Sequence, residues 1–300
     1  MPGLRRSPPI RSALPAAALL LAAAGPPAAA QLSQEERARN LLANGAIGGT
    51  VAGVRALIAG KRDWRALVAG FGGGVLTGAG KQVAASRFTG AGFIGRQIGA
   101  AGTSLVYSAT ADTTVFFAPL GPATLEVRPR SARRVRMRLN AAQVLTLVHA
   151  AGQGQTHLDA EATLWAGTPV FRRPRTRMPV SENTNGFAMP GTVFLARDEL
   201  RPGDMRRTVL PHEMVHVVQW DALNYLVALP AERAVVERLP GGRWLSRHVD
   251  LGVLGPLAVY GVAYHISYVH QPWEREAYLL TTGSAQPPPL THGHYGPGQR

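Results

Sequence analysis

The sequence predicts an α+β protein with a small sheet and two site-bearing helices, preceded by a glycine- and alanine-rich helical region. Three observations carry this. Glycine, alanine and small β-branched residues dominate positions 45–108 at short intervals, a pattern that lets helix backbones approach closely. From about Thr113 the composition turns to short β-branched and aromatic runs separated by turn residues. Thr208–Trp220 then reads TVLPHEMVHVVQW, with His212 and His216 four residues apart and Glu213 directly after the first. On a helix that spacing stacks two imidazoles on one face, where they can converge on a metal ion.

Residues 1–30 have the organisation of a signal peptide. Arg5, Arg6 and Arg11 form a basic start, Ala13–Ala24 is almost wholly apolar, and Gly25-Pro26-Pro27 interrupts it. Ala28-Ala29-Ala30 supplies an A-x-A cleavage site, so the sequence predicts export with cleavage near Ala30 and a fold that begins at Gln31. The whole chain carries a net charge of +14, almost entirely from arginine, since Lys61 and Lys81 are its only lysines. No nucleic-acid motif accompanies that excess, and a nucleic-acid partner is not expected. The absence of cysteine excludes disulfides, thiolate metal sites and a cysteine nucleophile.

In the region 31–110, Gln34–Asn44 reads as a helix that Asn44-Gly45 ends before the first glycine cluster. The glycines beyond suit either a membrane-associated hairpin or small-residue packing of soluble helices. Arg55, Lys61, Arg65, Lys81 and Arg96 interrupt every apolar window long enough to span a bilayer, which favours soluble packing and leaves peripheral membrane contact as the alternative.

Residues 111–285 form the second region. Thr114–Phe117 and Ala123–Val127 read as strands around a turn at Pro119-Leu120-Gly121-Pro122. Arg133–Leu139 alternates arginine with Val135, Met137 and Leu139, which predicts a half-buried strand whose arginines face solvent. Asn140 caps a helix over Ala141–Ala151. Leu158–Leu164 and Thr168–Phe171 read as further strands, Arg172–Arg177 as a basic loop, and Gly191–Ala196 as a short apolar strand. After the histidine helix, Ala231–Leu239 and His270–Leu280 predict helices. The apolar Leu251–Val269 between them reads as a buried segment behind the site. Residues 286–300, rich in proline and glycine, predict a disordered end.

Glu213 leaves the helix about 100° round from His212, so it can stand beside a metal without ligating it. That arrangement is needed when zinc acidifies a water and a carboxylate takes its proton. Catalytic zinc normally takes three protein ligands. The continuation H-x-x-G-x-x-H is missing, because Gln219 and Ala222 stand where glycine and histidine would be. The downstream candidates are Asp221, Glu232, Glu237, Glu274 and Glu276.

His212-Glu213-Met214-Val215-His216 spells H-E-x-x-H, the signature of zincin metallopeptidases. Together with Glu274-Arg275-Glu276-Ala277 downstream, it resembles the gluzincin group, and in particular bacterial peptidase-like proteins with an HExxHVxQ helix and an ExxA helix. The likeness covers about twenty residues. It implies a zincin-like core, Zn2+ held by His212, His216 and Glu274, Glu213 as general base, and a peptide or protein substrate. By the same resemblance, Gly191–Ala196 would be the strand lining the cleft. Tyr278 stands where the group has an aspartate that orients a ligand histidine, so Glu276, Asp250 or a backbone carbonyl must take that role, or the site is weak or vestigial. His265, His270 or Tyr278 is a candidate for stabilising the oxyanion. The alternative is a non-catalytic envelope protein with a structural or degenerate zinc site and a membrane- or partner-binding glycine-rich region.

Overall fold

The computed structural model describes residues 32–284 apart from 62, 112–113, 130, 132–133, 175, 177, 179–184, 197–208 and 267–269. The expected signal peptide, the C-terminal tail and the charged connection Arg197–Arg207 therefore lie outside the described residues. The architecture is mixed α+β, with many helices and two small sheets.

Three helices form the first layer: α1 (Gln34–Ile58), α2 (Trp64–Ala84) and α3 (Ala91–Ser108). A capping box between Ser33 and Glu36 starts α1. The break expected at Asn44-Gly45 is absent, and α1 runs through it to Ile58. Those residues serve packing instead. A Cβ on Gly48 would lie 2.4 Å from the Gly70 carbonyl oxygen, and one on Gly74 only 2.1 Å from that of Asn44. Neither glycine tolerates a side chain, and the backbones of α1 and α2 touch through them. Gly80 and Gly95 do the same between α2 and α3. Closely packed helices are thus what the glycine pattern encodes. Helix α1 is also long and apolar enough to cross a membrane, with only a third of its most apolar stretch buried in the protein.

The first sheet has the order β1-β2-β3-β8, built from β1 (Phe116–Leu120), β2 (Ala123–Val127), β3 (Val135–Asn140) and the short β8 (Val249–Asp250). β1 reaches through Pro119 and Leu120, so the turn is shorter than the sequence suggested and lies at Gly121-Pro122. The alternation in β3 is real, but its faces are inverted. Arg138 is 3% exposed whereas Met137 is 65% and Leu139 47% exposed. The reason lies across the ladder: Arg136 faces Glu126 on β2, and Glu126 is buried. The inner face is held by ion pairs, and the apolar residues are left outside. On that inner face Phe117 stacks on Tyr225, ring centroids 4.5 Å apart.

Helix α4 (Ala141–Gly152) follows, capped by Asn140 as expected. The second sheet has the order β4-β5-β7-β6, with β4 (His157–Leu158), β5 (Val170–Arg173), β6 (Gly186–Met189) and β7 (Thr192–Ala196). The strand expected at Leu158–Leu164 is mostly helix α5 (Ala160–Ala166). The Asp159 side chain accepts from the Ala162 N–H at 3.0 Å, and Gly167 closes the helix at φ 64°. A helix cap outweighed local strand propensity there. Arg172 and Arg173 belong to β5 and not to a loop, with Arg172 paired to Asp159 at 2.6 Å.

Helix α6 (Leu210–Leu223) bears the H-E-x-x-H sequence and leads through a π-helical turn, Asn224–Ala228, into α7 (Leu229–Val236). Pro230 offers no N–H and crowds the carbonyl four residues back; the wider π turn before it accommodates this. After α8 (Gly242–His248) come α9 (Leu254–His265) and α10 (Pro272–Thr282). The expected burial of Leu251–Val269 does not hold for α9, where Leu254 is 42% and Leu257 63% exposed. Its Gly255 side packs closely against Leu223 and Ala228.

Candidate metal centre

Residues Leu210–Val218 of α6 are all buried, so this helix is the centre of the molecule. Met214, Val217 and Val218 join Ala84, Ala91, Trp165, Val193 and Leu195 in the main apolar core. Val215, on another side, meets Ala277 and Leu280 of α10. Ala277 is fully buried, and its small size brings α10 against α6. Pro272 opens α10, Glu274 lies in its first turn, and Gly283 ends it in the left-handed region at φ 75°.

This packing brings together three of the residues the sequence singled out. His212 Nε2 and His216 Nε2 are 3.1 Å apart. Glu274 Oε2 lies 3.3 Å from His212 Nε2, and its Oε1 lies 3.4 Å from His216 Nε2. Two ligand atoms each about 2.05 Å from one tetrahedral zinc would be about 3.3 Å apart. The histidine–histidine separation is close to an edge of such a tetrahedron, and Glu274 faces each nitrogen through a different oxygen at a similar distance. Glu274 Oε2 is buried and accepts no hydrogen bond, which is the state of a ligand atom rather than of a structural carboxylate. His212, His216 and Glu274 can therefore hold a metal ion.

The other acidic candidates are engaged elsewhere. Glu232 accepts from the backbone N–H groups of Gly252, Val253 and Leu254, and Glu237 accepts from Ser246. Asp221 pairs with Arg96, and Asp250 accepts from Asn224. Glu276 is not at the metal position but behind it. The Gln219 side chain sits 2.8 Å from His216 Nδ1 through its Oε1 and donates through Nε2 to Glu276 at 2.8 Å. Glu276 in turn accepts from Lys81 at 2.7 Å, Asn44 at 2.8 Å and Asn40 at 3.0 Å. Gln219, backed by Glu276, thus orients His216; Glu276, one of the groups the sequence offered in place of the aspartate missing at Tyr278, acts through Gln219. Tyr278 packs against the His212 ring, centroids 4.4 Å apart, while His265 and His270 are exposed.

Glu213 stands beside the cluster without joining it. Its nearest strand is β6: a Cβ on Gly186 would fall 2.5 Å from Glu213 Oε1, and Trp220 Nε1 donates to the Ala188 carbonyl at 3.2 Å. Among the described residues β6 is an edge strand of its sheet, whereas β7 is paired on both sides and buried throughout. The strand beside the site is accordingly β6 and not Gly191–Ala196, which corrects the sequence expectation. A single short apolar strand does not reveal which side of a hairpin is the edge.

Burial pushes the Glu213 carboxyl up to about 8 against the pull of the neighbouring His216. Burial opposes charge on His216, but the adjacent Glu274 outweighs it and lifts the imidazole to about 9. Burial likewise opposes the Glu274 carboxylate, while His216 holds it well below the ordinary range. His212 is lowered, first by burial. The metal-free site therefore holds a proton on His216 at neutral pH, and a metal must displace it. We expect zinc uptake to release at least one proton and the apparent affinity to rise roughly tenfold per pH unit, levelling off near pH 9. Competition with a chromophoric chelator across pH measures this, and a flat profile between pH 6 and 9 would contradict it.

No known protein family, curated protein or solved structure matches this chain.

Proposed function

We propose that the chain is a zinc-dependent metallopeptidase of gluzincin type with a zincin-like core. The observation that carries this reading is the meeting of two histidine nitrogens and a carboxylate within 3.4 Å of one another, with Glu213 alongside and outside the triplet. His212, His216 and Glu274 are the ligands, and Glu213 is the general base. A zinc ion held there supplies Lewis acidity, polarising the scissile carbonyl and lowering the pKa of water.

Glu213 accepts the proton of the attacking water and returns it to the leaving amine. Tyr278, against His212, is the candidate donor to the developing oxyanion. Gln219 and Glu276 fix the ring of His216 and take no part in proton transfer. The basic start, apolar run and A-x-A site within residues 1–30 support export, to the periplasm, cell envelope or medium.

A second reading has one specific observation in its favour. The hairpin of α1 and α2 exposes Leu57 (65%), Ile58 (82%), Trp64 (67%) and Val68 (58%), beside Lys61 and Arg65. An apolar, aromatic and basic tip of this kind suits a membrane interface. In that reading the protein is a non-catalytic envelope component, and the metal site is structural or degenerate.

Chelator dialysis followed by stepwise return of zinc separates the two. The peptidase reading expects hydrolysis of an unstructured protein such as casein to vanish with the metal and to return at one zinc per chain. Stoichiometric zinc with no hydrolysis of any unstructured substrate tried would favour the envelope component. Failure to bind zinc at all would remove the peptidase.

A further inference from the structure

The inner face of the first sheet, away from the metal centre, borders a second polar site. A cavity of about 360 Å³ is lined by Arg128 of β2's end, Arg136 and Arg138 of β3, Arg233 of α7 and Arg247 of α8, with Glu126 and Glu237 the acidic residues among its walls. Five guanidinium groups and two carboxylates thus line it, and Asp250 stands near Arg138 and Arg233 as a third acidic neighbour.

Those carboxylates are already committed. Glu126, whose side chain is wholly buried, accepts from Arg128 Nε at 2.5 Å and from Arg233 Nη2 at 2.7 Å, with Arg138 Nη1 at 3.6 Å. Glu237 accepts from Ser246 Oγ at 2.9 Å. Arg138 is 3% exposed, and its Nε–H is buried without an acceptor. A buried N–H of this kind normally has a partner. Burying a cation whose neighbour Arg233 is another cation is unfavourable unless more negative charge is nearby. Burial and Arg233 accordingly lower the pKa of Arg138. Asp250 and Glu126 offset part of this cost, and the Arg138 Nε–H is still left without an acceptor.

We propose that this cavity is an oxyanion site that takes a phosphate group. Arginine forks reach it from the two strands below and from α7 and α8 above. Donors converging from separate elements suit a tetrahedral, multiply charged anion better than a planar carboxylate. Along the helix from His216, Arg233 lies seventeen residues on, about 25 Å of straight helix, so the cavity stands apart from the metal centre and does not depend on the peptidase reading. The phosphate is either free or the headgroup of an anionic lipid.

Calorimetric titration with inorganic phosphate, at constant ionic strength set by chloride, tests the site. The expected result is one saturable site that chloride does not fill. Arg138 and Arg233 hold Glu126, and their replacement endangers folding, so the informative variants are Arg247→Gln, at an exposed position, and Arg136→Gln. Each is expected to weaken phosphate binding about tenfold; Arg247→Gln leaves the thermal midpoint unchanged, whereas Arg136→Gln, opposite Glu126 on the ladder, lowers it and is titrated well below its own midpoint. Vesicles of phosphatidylcholine with and without phosphatidic acid identify the source: sedimentation with the acidic vesicles that the two substitutions abolish assigns a lipid headgroup, whereas phosphate binding without it assigns a soluble ligand. The proposal is overturned if neither free phosphate nor acidic vesicles bind saturably, or if the Arg136→Gln, Arg247→Gln double variant binds them as the unmodified chain does.

Discussion

Glu213→Gln is expected to leave zinc content unchanged and to lower peptide hydrolysis by about 10²–10⁴-fold. The two outcomes separate because Glu213 lies beside the ligand triplet and is not part of it. Glutamine has the same shape, which matters where Gly186 approaches so closely that a Cβ there would fall 2.5 Å from Glu213 Oε1. The amide fills that space but cannot carry a proton between water and leaving group. Burial holds the carboxyl near 8, so in the metal-free protein it is mostly neutral at pH 7, and the equally neutral amide should leave folding little changed. Zinc content by atomic absorption and initial rates on casein give the two readouts. A variant that keeps its zinc and retains full activity would remove Glu213 from the mechanism and leave the peptidase reading without a base.

How far this site could be read from the sequence follows from what holds each residue. His212, Glu213 and His216 are legible because helical spacing alone sets their mutual geometry. Glu274 was reachable through the likeness of Glu274-Arg275-Glu276-Ala277 to the second gluzincin helix, though only tertiary packing through Ala277 and Val215 puts it beside the two histidines. Gln219 was visible beside His216, but its role depends on Glu276, and that residue depends on Lys81, Asn44 and Asn40 from two other helices. One hint was local: Lys81 is one of only two lysines in an arginine-rich chain, and it is buried. The break assigned to Asn44-Gly45 failed for a related reason. An Asn-Gly pair ends a helix when the backbone needs it to, and here α2 occupies the space the glycine opens. For β3 the period of two was right and the side was wrong, because period is a property of the strand whereas side depends on Glu126 across the ladder.

The dependence of the site on the glycine-rich layer gives the second large effect. Asp221, five residues beyond His216 on α6, meets Arg96 of α3 through Nε at 2.5 Å and Nη2 at 3.1 Å, with side chains 6% and 1% exposed. Burial opposes the Arg96 charge, and Asp221 more than compensates, raising its pKa. Asp221→Asn keeps the shape and removes the negative charge, leaving a buried guanidinium uncompensated. We expect a loss of about 3–5 kcal/mol in unfolding free energy, measured by urea denaturation of the metal-free protein so that zinc does not mask it. Arg96→Met with Asp221→Leu removes both charges and is expected to recover most of that loss. If the single substitution changes stability by less than about 1 kcal/mol, the pair is not the joint between the layers. A large loss in the single and recovery in the double would mean that α3 holds α6 in place through this contact. Gly92 and Gly99 then make the remaining space, since a Cβ at either would fall within 3.1 Å of Met214 or Val218 on the histidine-bearing helix. The small residues of the first layer are then part of what positions the histidines.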